Sequence, residues 1–219
     1  MLKFEGGAGL IIERQCYSLK EEYAEKLSAL LDDLLDYHNV LKGYLIDNEN
    51  NEYYTSREYL DIVKESYRLK QTKHLNANLD SNFSTTSQLT SSVASAFFKC
   101  IASFVSENSD LALSVCGQTG KMQYPKNGYM GWHNNTRSGW RIYCSYCREQ
   151  AKSYFRYEND NGDFVDCLEN RGWNFRFFYT RDTASPFWHS VYTETERVSL
   201  GTFLGRDQDK IKNLLGDTV

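Results

Sequence analysis

The hydrophobic pattern of this chain changes its period close to residue 111, and this change limits the folds that the sequence can adopt. Before residue 111, apolar residues recur at helical spacing in three segments. After it, short β-type runs are separated by Gly and Asn. Helices followed by a series of short strands favour an α+β fold, in which helices flank a sandwich or barrel of antiparallel strands.

Three helices are predicted in the first half of the chain. The first covers roughly residues 19–38 and follows the capping-box pattern Ser18-Leu-Lys-Glu21. A second capping box, Thr55-Ser-Arg-Glu58, precedes a shorter helix. A third apolar stripe runs from Leu89 to Phe104, after a Ser-, Thr- and Asn-rich loop over residues 76–92. We interpret all three stripes as faces that pack against a core.

Seven short strands are predicted in the second half, and a small terminal helix is predicted over Asp207–Leu215. The strands are expected at 111–116, 120–124, 140–147, 152–157, 174–180, 188–192 and 197–204. We therefore expect a mainly helical portion over residues 1–110 that packs on a β portion over residues 111–219. A length of 219 residues suits one compact domain of this kind.

Composition and charge exclude several classes of protein. The formal net charge is −4 without a basic stripe, so there is no clear nucleic-acid signature. No stretch approaches the roughly 20 apolar residues of a membrane span, and the first residues lack the apolar run of a signal peptide. We therefore expect a cytoplasmic or otherwise intracellular protein whose six cysteines are mostly reduced.

Two of these cysteines have the spacing of a metal or redox motif. Cys144-Ser-Tyr-Cys147 lies in a predicted strand, where residues three apart point to opposite faces. The two thiols should therefore diverge, which favours buried thiols over a zinc or redox centre.

Polar residues of the second half are spaced so that strands could bring them together. His133 and Asn135, and likewise Arg197 and Ser199, are separated by two positions, so each pair would point to one face of a strand. His189 lies on a later predicted strand and could approach from across the barrel. Two histidines are typical of a metal site, whereas an Arg with a hydroxyl suits a carboxylate.

This pattern resembles the Fe(II)/2-oxoglutarate-dependent dioxygenase superfamily, in its prolyl-hydroxylase-like branch. That family has a Tyr, a Gly-containing turn and His-x-Asp/Glu, then a distal His shortly before Arg-x-Ser. The corresponding residues here, within 111–204, are Tyr124, Gly128, His133, Asn135, His189, Arg197 and Ser199. The resemblance implies a double-stranded β-helix (a jelly roll, cupin-like) flanked by N-terminal helices, with Fe(II) and 2-oxoglutarate as cofactors.

The resemblance also implies a role for each residue. His133, Asn135 and His189 would be the metal ligands, and His133, His189 and Arg197 would be the catalytic residues. The residues that would hold the cosubstrate are Arg197 and Ser199, with a further hydrogen bond from Tyr124 or Tyr143. The implied activity is hydroxylation of an unidentified small-molecule or protein substrate.

The sequence departs from the family at Asn135, where the family has a carboxylate, and at Gln150-Ala151, where it has two glycines. Asn135 could ligate the metal through its amide oxygen, water or halide could fill the position, or the site could have lost its metal. The alternative function is therefore a catalytically inactive dioxygenase-fold protein that acts as a structural or binding module in an assembly. A lectin-like or cupin-like binder is a third interpretation.

Overall fold

The computed structural model describes residues 13–38, 40, 52–70, 86–135, 137–181 and 185–219, and these form a fold of mixed helix and antiparallel sheet. The described helices are α1 (Glu21–His38), α2 (Arg57–Lys70) and α3 (Ser91–Glu107), with two short 3₁₀ helices at Glu52–Thr55 and Leu113–Val115. The described strands are β1 (Cys16–Leu19), β2 (Ser87–Gln88), β3 (Gly117–Tyr124), β4 (Gly128–His133), β5 (Gly139–Cys147), β6 (Ser153–Glu158), β7 (Phe164–Leu168), β8 (Gly172–Thr180), β9 (His189–Thr193), β10 (Arg197–Phe203) and β11 (Leu215–Thr218).

The strands form two antiparallel sheets. The large sheet has the order β11-β1-β8-β5-β10-β3-β2, and the small sheet has the order β4-β9-β6-β7. From β3 to β10 the chain passes back and forth between them, because β3, β5, β8 and β10 lie in the large sheet and the strands between lie in the small one. The two sheets therefore share an interior to which both contribute alternate residues.

Three apolar clusters hold these layers together. On the outer face of the large sheet, α1 and α3 pack with Leu27 and Phe97 in one buried cluster with Ile142. On the outer face of the small sheet, α2 packs Leu60 against Trp132. The third cluster lies between the sheets and includes Tyr124, Phe155, Phe178, Phe187 and Val191. Each fully buried side chain of this size stabilises the fold by about 1.5–3 kcal/mol when it leaves water. The clusters therefore hold the helices on the outer faces of the sheets and hold the two sheets to each other.

The three predicted helices are confirmed, but both capping boxes are wrong. Ser18 lies in β1 and its hydroxyl donates to a β11 carbonyl, 3.2 Å away. Helix α1 begins after Lys20, whose carbonyl accepts the backbone N–H of Ala24 at 2.9 Å. In α2 the cap is Ser56, one residue later than predicted, and its Oγ accepts the N–H of Tyr59 at 3.2 Å. Tertiary pairing of β1 thus overrode the local capping signal.

Six of the seven predicted strands are confirmed, with ends that differ by a few residues. The strand predicted at 111–116 is wrong, because a 3₁₀ helix at Leu113–Val115 occupies it. The terminal helix predicted over Asp207–Leu215 is also wrong, since that segment forms turns that lead into β11. Of the loop predicted over 76–92, residues 76–85 lie outside the described residues.

Several strands were not predicted. Strand β4 contains two glycines, which weaken its β-type composition. Strand β7 has only five residues and lies between polar segments, so its short apolar run was not recognised as a strand. The segment before residue 111 contributes β1 and β2 to the large sheet. None of the described helices combines the length and the apolar character needed to cross a membrane.

Candidate functional site

A cavity of about 560 Å³ lies at one end of the interior between the sheets. Its described lining consists of Gln88, Gln118, Thr119, Gly120, Lys121, Met122, Tyr124, Met130, His133, Asn134, Asn135, Tyr143, His189, Val191 and Ser199. Six of the seven site residues predicted from the sequence are therefore brought to one cavity. The seventh, Arg197, is not part of the lining.

A bulge in β4 turns His133 toward this cavity. Met130 is paired with Val191, but His133 rather than Trp132 is paired with His189, so β4 has one extra residue between Met130 and His133. The bulge reverses the alternation of side chains. Trp132 therefore packs on the α2 side, where its Nε1–H donates to the carbonyl of residue 56 at 2.8 Å, and His133 points to the interior.

The two histidine rings lie side by side, with 4.1 Å between their centroids. The Nδ1 of His133 is 2.8 Å from the carbonyl oxygen of Gly131, and the Nδ1 of His189 is 3.0 Å from that of Phe187. Because a carbonyl oxygen only accepts, each Nδ1 carries the proton in the neutral ring and Nε2 carries the lone pair. Histidine ligands of metals are commonly oriented in this way.

Burial keeps both rings neutral. It lowers the pKa of His133, and it lowers the pKa of His189 well below the usual value, with a further contribution from neighbouring His133. His189 also stacks on Phe155, with 5.3 Å between the ring centroids. Neutral imidazoles are the form that binds metal ions.

Asn135 completes the group at the histidine pair. Its Nδ2 lies 3.3 Å from Nε2 of His189, so the amide N–H donates to the imidazole lone pair. Rotating this amide by half a turn would exchange Nδ2 for Oδ1, because the two ends of a carboxamide have nearly the same shape. Among the described residues, no three His, Cys, Asp or Glu side chains group so as to hold a metal ion.

Arg197 binds a carboxylate of the protein, whereas the sequence predicted that it would hold the cosubstrate. It is fully buried, and its Nε and Nη2 donate to the two carboxylate oxygens of Glu169 at 2.6 and 2.8 Å. Its Nη1 is buried without a hydrogen-bond partner within the described part of the chain. Two of the three guanidinium nitrogens are thus bound by the protein itself.

The Glu169 carboxylate accepts four further hydrogen bonds. Arg176 donates from Nη1 at 2.7 Å, the hydroxyls of Ser145 and Ser153 donate at 2.6 Å each, and the thiol of Cys147 donates at 3.0 Å. Burial alone would raise the pKa of Glu169, but the guanidiniums of Arg197 and Arg176 hold it well below the usual value. Glu169 is therefore an anion in a fully buried network.

This network confirms that the CxxC thiols diverge. The Cys147 side chain points into the interior toward Glu169, whereas Cys144 belongs to the cluster under α1 and α3. Burial raises the pKa of both thiols, which keeps them protonated near neutral pH.

The remaining predicted residues line the cavity wall. Burial raises the pKa of Tyr124 to about 12, so its hydroxyl stays protonated, and the Arg197 guanidinium carbon lies 4.9 Å from the centre of its ring. The Tyr143 ring packs beside Gly201, where an added Cβ would lie 2.7 Å from Tyr143 Cε1. Ser199 is buried beside them.

Sequence reasoning missed Glu169 and Arg176. The available signal was indirect, because arginines placed at interior positions of strands require a buried counter-ion. That requirement predicts an acidic partner for Arg197 but does not say which acidic residue it is.

No protein-family model matches the chain, and no curated protein matches it. Among solved structures, a Pseudomonas putida prolyl-4-hydroxylase is similar at 13% identity and a TM-score of 0.36, over 83% of this chain and 99% of that chain. A full-length Neurospora crassa protein in complex with alpha-KG is similar at 10% identity and a TM-score of 0.31, over 91% and 80%. A family 29 carbohydrate-binding module is similar at 12% identity and a TM-score of 0.23, over 41% and 76%.

Proposed function

We propose that this protein is an Fe(II)/2-oxoglutarate-dependent oxygenase-like protein that hydroxylates an unidentified substrate. The observation that carries the proposal is the histidine pair, in which two neutral rings with their Nδ1 protons fixed line the same cavity as Asn135. The passage of β3 to β10 between two facing sheets supports a double-stranded β-helix, or jelly roll, as the scaffold.

The residues present fit a divalent metal in part. His133 and His189 offer neutral nitrogen ligands, and Asn135 offers an amide oxygen where the family has a carboxylate. A bound metal and cosubstrate would supply oxidation by O₂. The protein would hold the metal through these side chains and exclude water with the aromatic residues around His189, such as Phe155 and Phe178.

The fit to 2-oxoglutarate is weaker than the fit to the metal. Tyr124, Tyr143 and Ser199 line the cavity and offer hydroxyl groups. Arg197 has only Nη1 without a partner in the described structure, because Glu169 binds its other two nitrogens. A cosubstrate carboxylate would therefore be held by hydroxyls and at most one guanidinium nitrogen rather than by a bidentate Arg.

Anaerobic titration with Mn(II), with and without 2-oxoglutarate, tests this proposal. We expect saturable Mn(II) binding, detected by loss of the free-ion EPR signal, and tighter binding when 2-oxoglutarate is present. The variant His189→Ala should lose this binding, whereas His38→Ala, the same change in helix α1, should keep it. Absence of Mn(II) binding to the wild-type protein would rule out the metal centre.

A second function, that of a non-catalytic binding module in an assembly, is favoured by two specific contacts. Asn135 brings no charge to the metal position, and Glu169 neutralises Arg197 inside the protein. Binding of neither Mn(II) nor 2-oxoglutarate would favour this function. The cavity and its rim would then be examined for a protein partner by cross-linking.

A further inference from the structure

We infer that Glu169 is an internal occupant of a carboxylate-binding position formed by Arg197 and Arg176, so that removing its side chain creates a binding site for small carboxylates. This inference deepens the proposed function, because it concerns the place where a cosubstrate carboxylate would be held. It also identifies Glu169 as the residue that determines which anions this end of the interior can accept.

The geometry around Glu169 is that of a fully liganded carboxylate. Each of its oxygens accepts three hydrogen bonds, and the two donors from Arg197 form the bidentate pair that a ligand carboxylate would use. The backbone holds the residue in place as well. The N–H of Glu169 donates to the carbonyl of Ser153, and its own carbonyl accepts from Ala151, both at 2.9 Å.

The charges show why the position suits an anion. Arg197 and Arg176 are both buried, and one carboxylate lies between them, so this group retains one net positive charge. Arg197 Nη1 and Arg176 Nε are buried without a hydrogen-bond partner in the described part of the structure. A second buried anion would be attracted to these two groups, but Glu169 already accepts the bidentate hydrogen bonds of Arg197.

Two pairs of neighbouring residues connect the position of the Glu169 carboxylate to the cavity. Ser199 lines the cavity and is the register partner of Ser145, which donates to Glu169. Tyr124 also lines the cavity and lies against the guanidinium of Arg197. A carboxylate that replaced Glu169 would thus contact Ser145 and Arg197, which are next to the cavity-lining residues Ser199 and Tyr124.

Rescue by acetate tests this inference without any metal or turnover. Glu169→Ala removes the carboxylate and leaves its volume empty, whereas Glu169→Gln removes the charge and keeps the volume filled. Thermal unfolding of both variants and of the wild type would be measured in increasing sodium acetate, against sodium chloride at matched ionic strength. We expect acetate to raise the Tm of Glu169→Ala saturably, by about 2–4 °C or more, and to leave the Tm of the other two proteins at the value in chloride.

Glu169→Ala could fail to fold in chloride, and refolding from urea then becomes the measurement. Recovery of folded protein in acetate but not in chloride supports the inference, and no recovery in either salt overturns it. An equal response of Glu169→Ala and Glu169→Gln to acetate also overturns it. Since neither readout needs Mn(II), failure of the metal titration would not be confused with failure of this inference.

Discussion

The two ends of the interior between the sheets both hold polar residues but differ in how those residues are bound. At the cavity end, His133 and His189 are neutral and line an open space of about 560 Å³. At the other end, Glu169 is enclosed by two guanidiniums, two hydroxyls and a thiol. The closed end is a structural network, and the open end is where a ligand would meet the side chains of the cavity wall.

The largest expected difference between the two ends is in stability. Arg197→Met would leave Glu169 buried with only one guanidinium, and breaking a buried ion pair in this way costs about 3–5 kcal/mol. His133→Ala at the cavity end should cost less than about 2 kcal/mol, because His133 lines an open space. Urea unfolding of both variants measures this difference, and equal losses would remove the distinction between the ends.

A matched pair of serines sharpens the comparison. Ser145 and Ser199 are register partners on neighbouring strands, but Ser145 donates to the Glu169 carboxylate at 2.6 Å and Ser199 lines the cavity. Ser145→Ala should cost about 1.5–3 kcal/mol, as expected for a hydrogen bond to a charged group, and Ser199→Ala less than about 1 kcal/mol. Denaturant titration would show whether the order is reversed.

The third change concerns the charge at the cavity end. Asn135→Asp would place a carboxylate beside His189, at the position where the dioxygenase pattern that the sequence resembles has an anionic ligand. We expect Mn(II) to bind at least about tenfold more tightly, which corresponds to about 1.4 kcal/mol. If the affinity measured by Mn(II) titration is unchanged, residue 135 does not contact the metal.

The smallest effect should be a difference in pH dependence. The pKa of His189 lies below the usual value of about 6.5, so at lower pH the unfolded chain binds a proton that the folded protein does not. Stability should therefore fall as the pH drops below about 6.5 and stay level above it. Glu169 has a lowered pKa, so its contribution is lost only at more acidic pH.

Urea unfolding at several pH values between about 5.5 and 8 would measure this slope. The variant His189→Gln should have a flatter profile than the wild type, whereas Ser145→Ala should keep the wild-type profile at lower overall stability. An unchanged slope in His189→Gln would mean that another group titrates in this range.

The sequence predicted the class of fold because its two hydrophobic periods are long and distinct. It predicted α1 and the strands around β5 and β10, where apolar and β-branched residues dominate. It did not predict β4 or β7. The pairing of those strands depends on partners distant in the chain, and local composition carries little of that information.

The candidate site shows the same limit. The residues of the cavity could be gathered from spacing, since Tyr124, His133 and His189 all line it. The partner of Arg197 could not be found by spacing, because Glu169 follows a strand of only five residues that lies between polar segments. The spacing of residues therefore predicts which side chains line the cavity. It does not predict which charged side chains pair, because the pairing depends on how the interior is packed.

The bulge in β4 has a consequence for how the site could be lost in evolution. Side chains of a strand alternate, so the extra residue between Met130 and His133 decides whether His133 or Trp132 faces His189. Loss of the bulge with the chain length unchanged would place the indole of Trp132 opposite His189, whereas deletion of Gly131 would remove the bulge and still leave the histidine there. For this histidine pair, a shift of one residue in the pairing of β4 would be as complete a loss as substitution of either histidine.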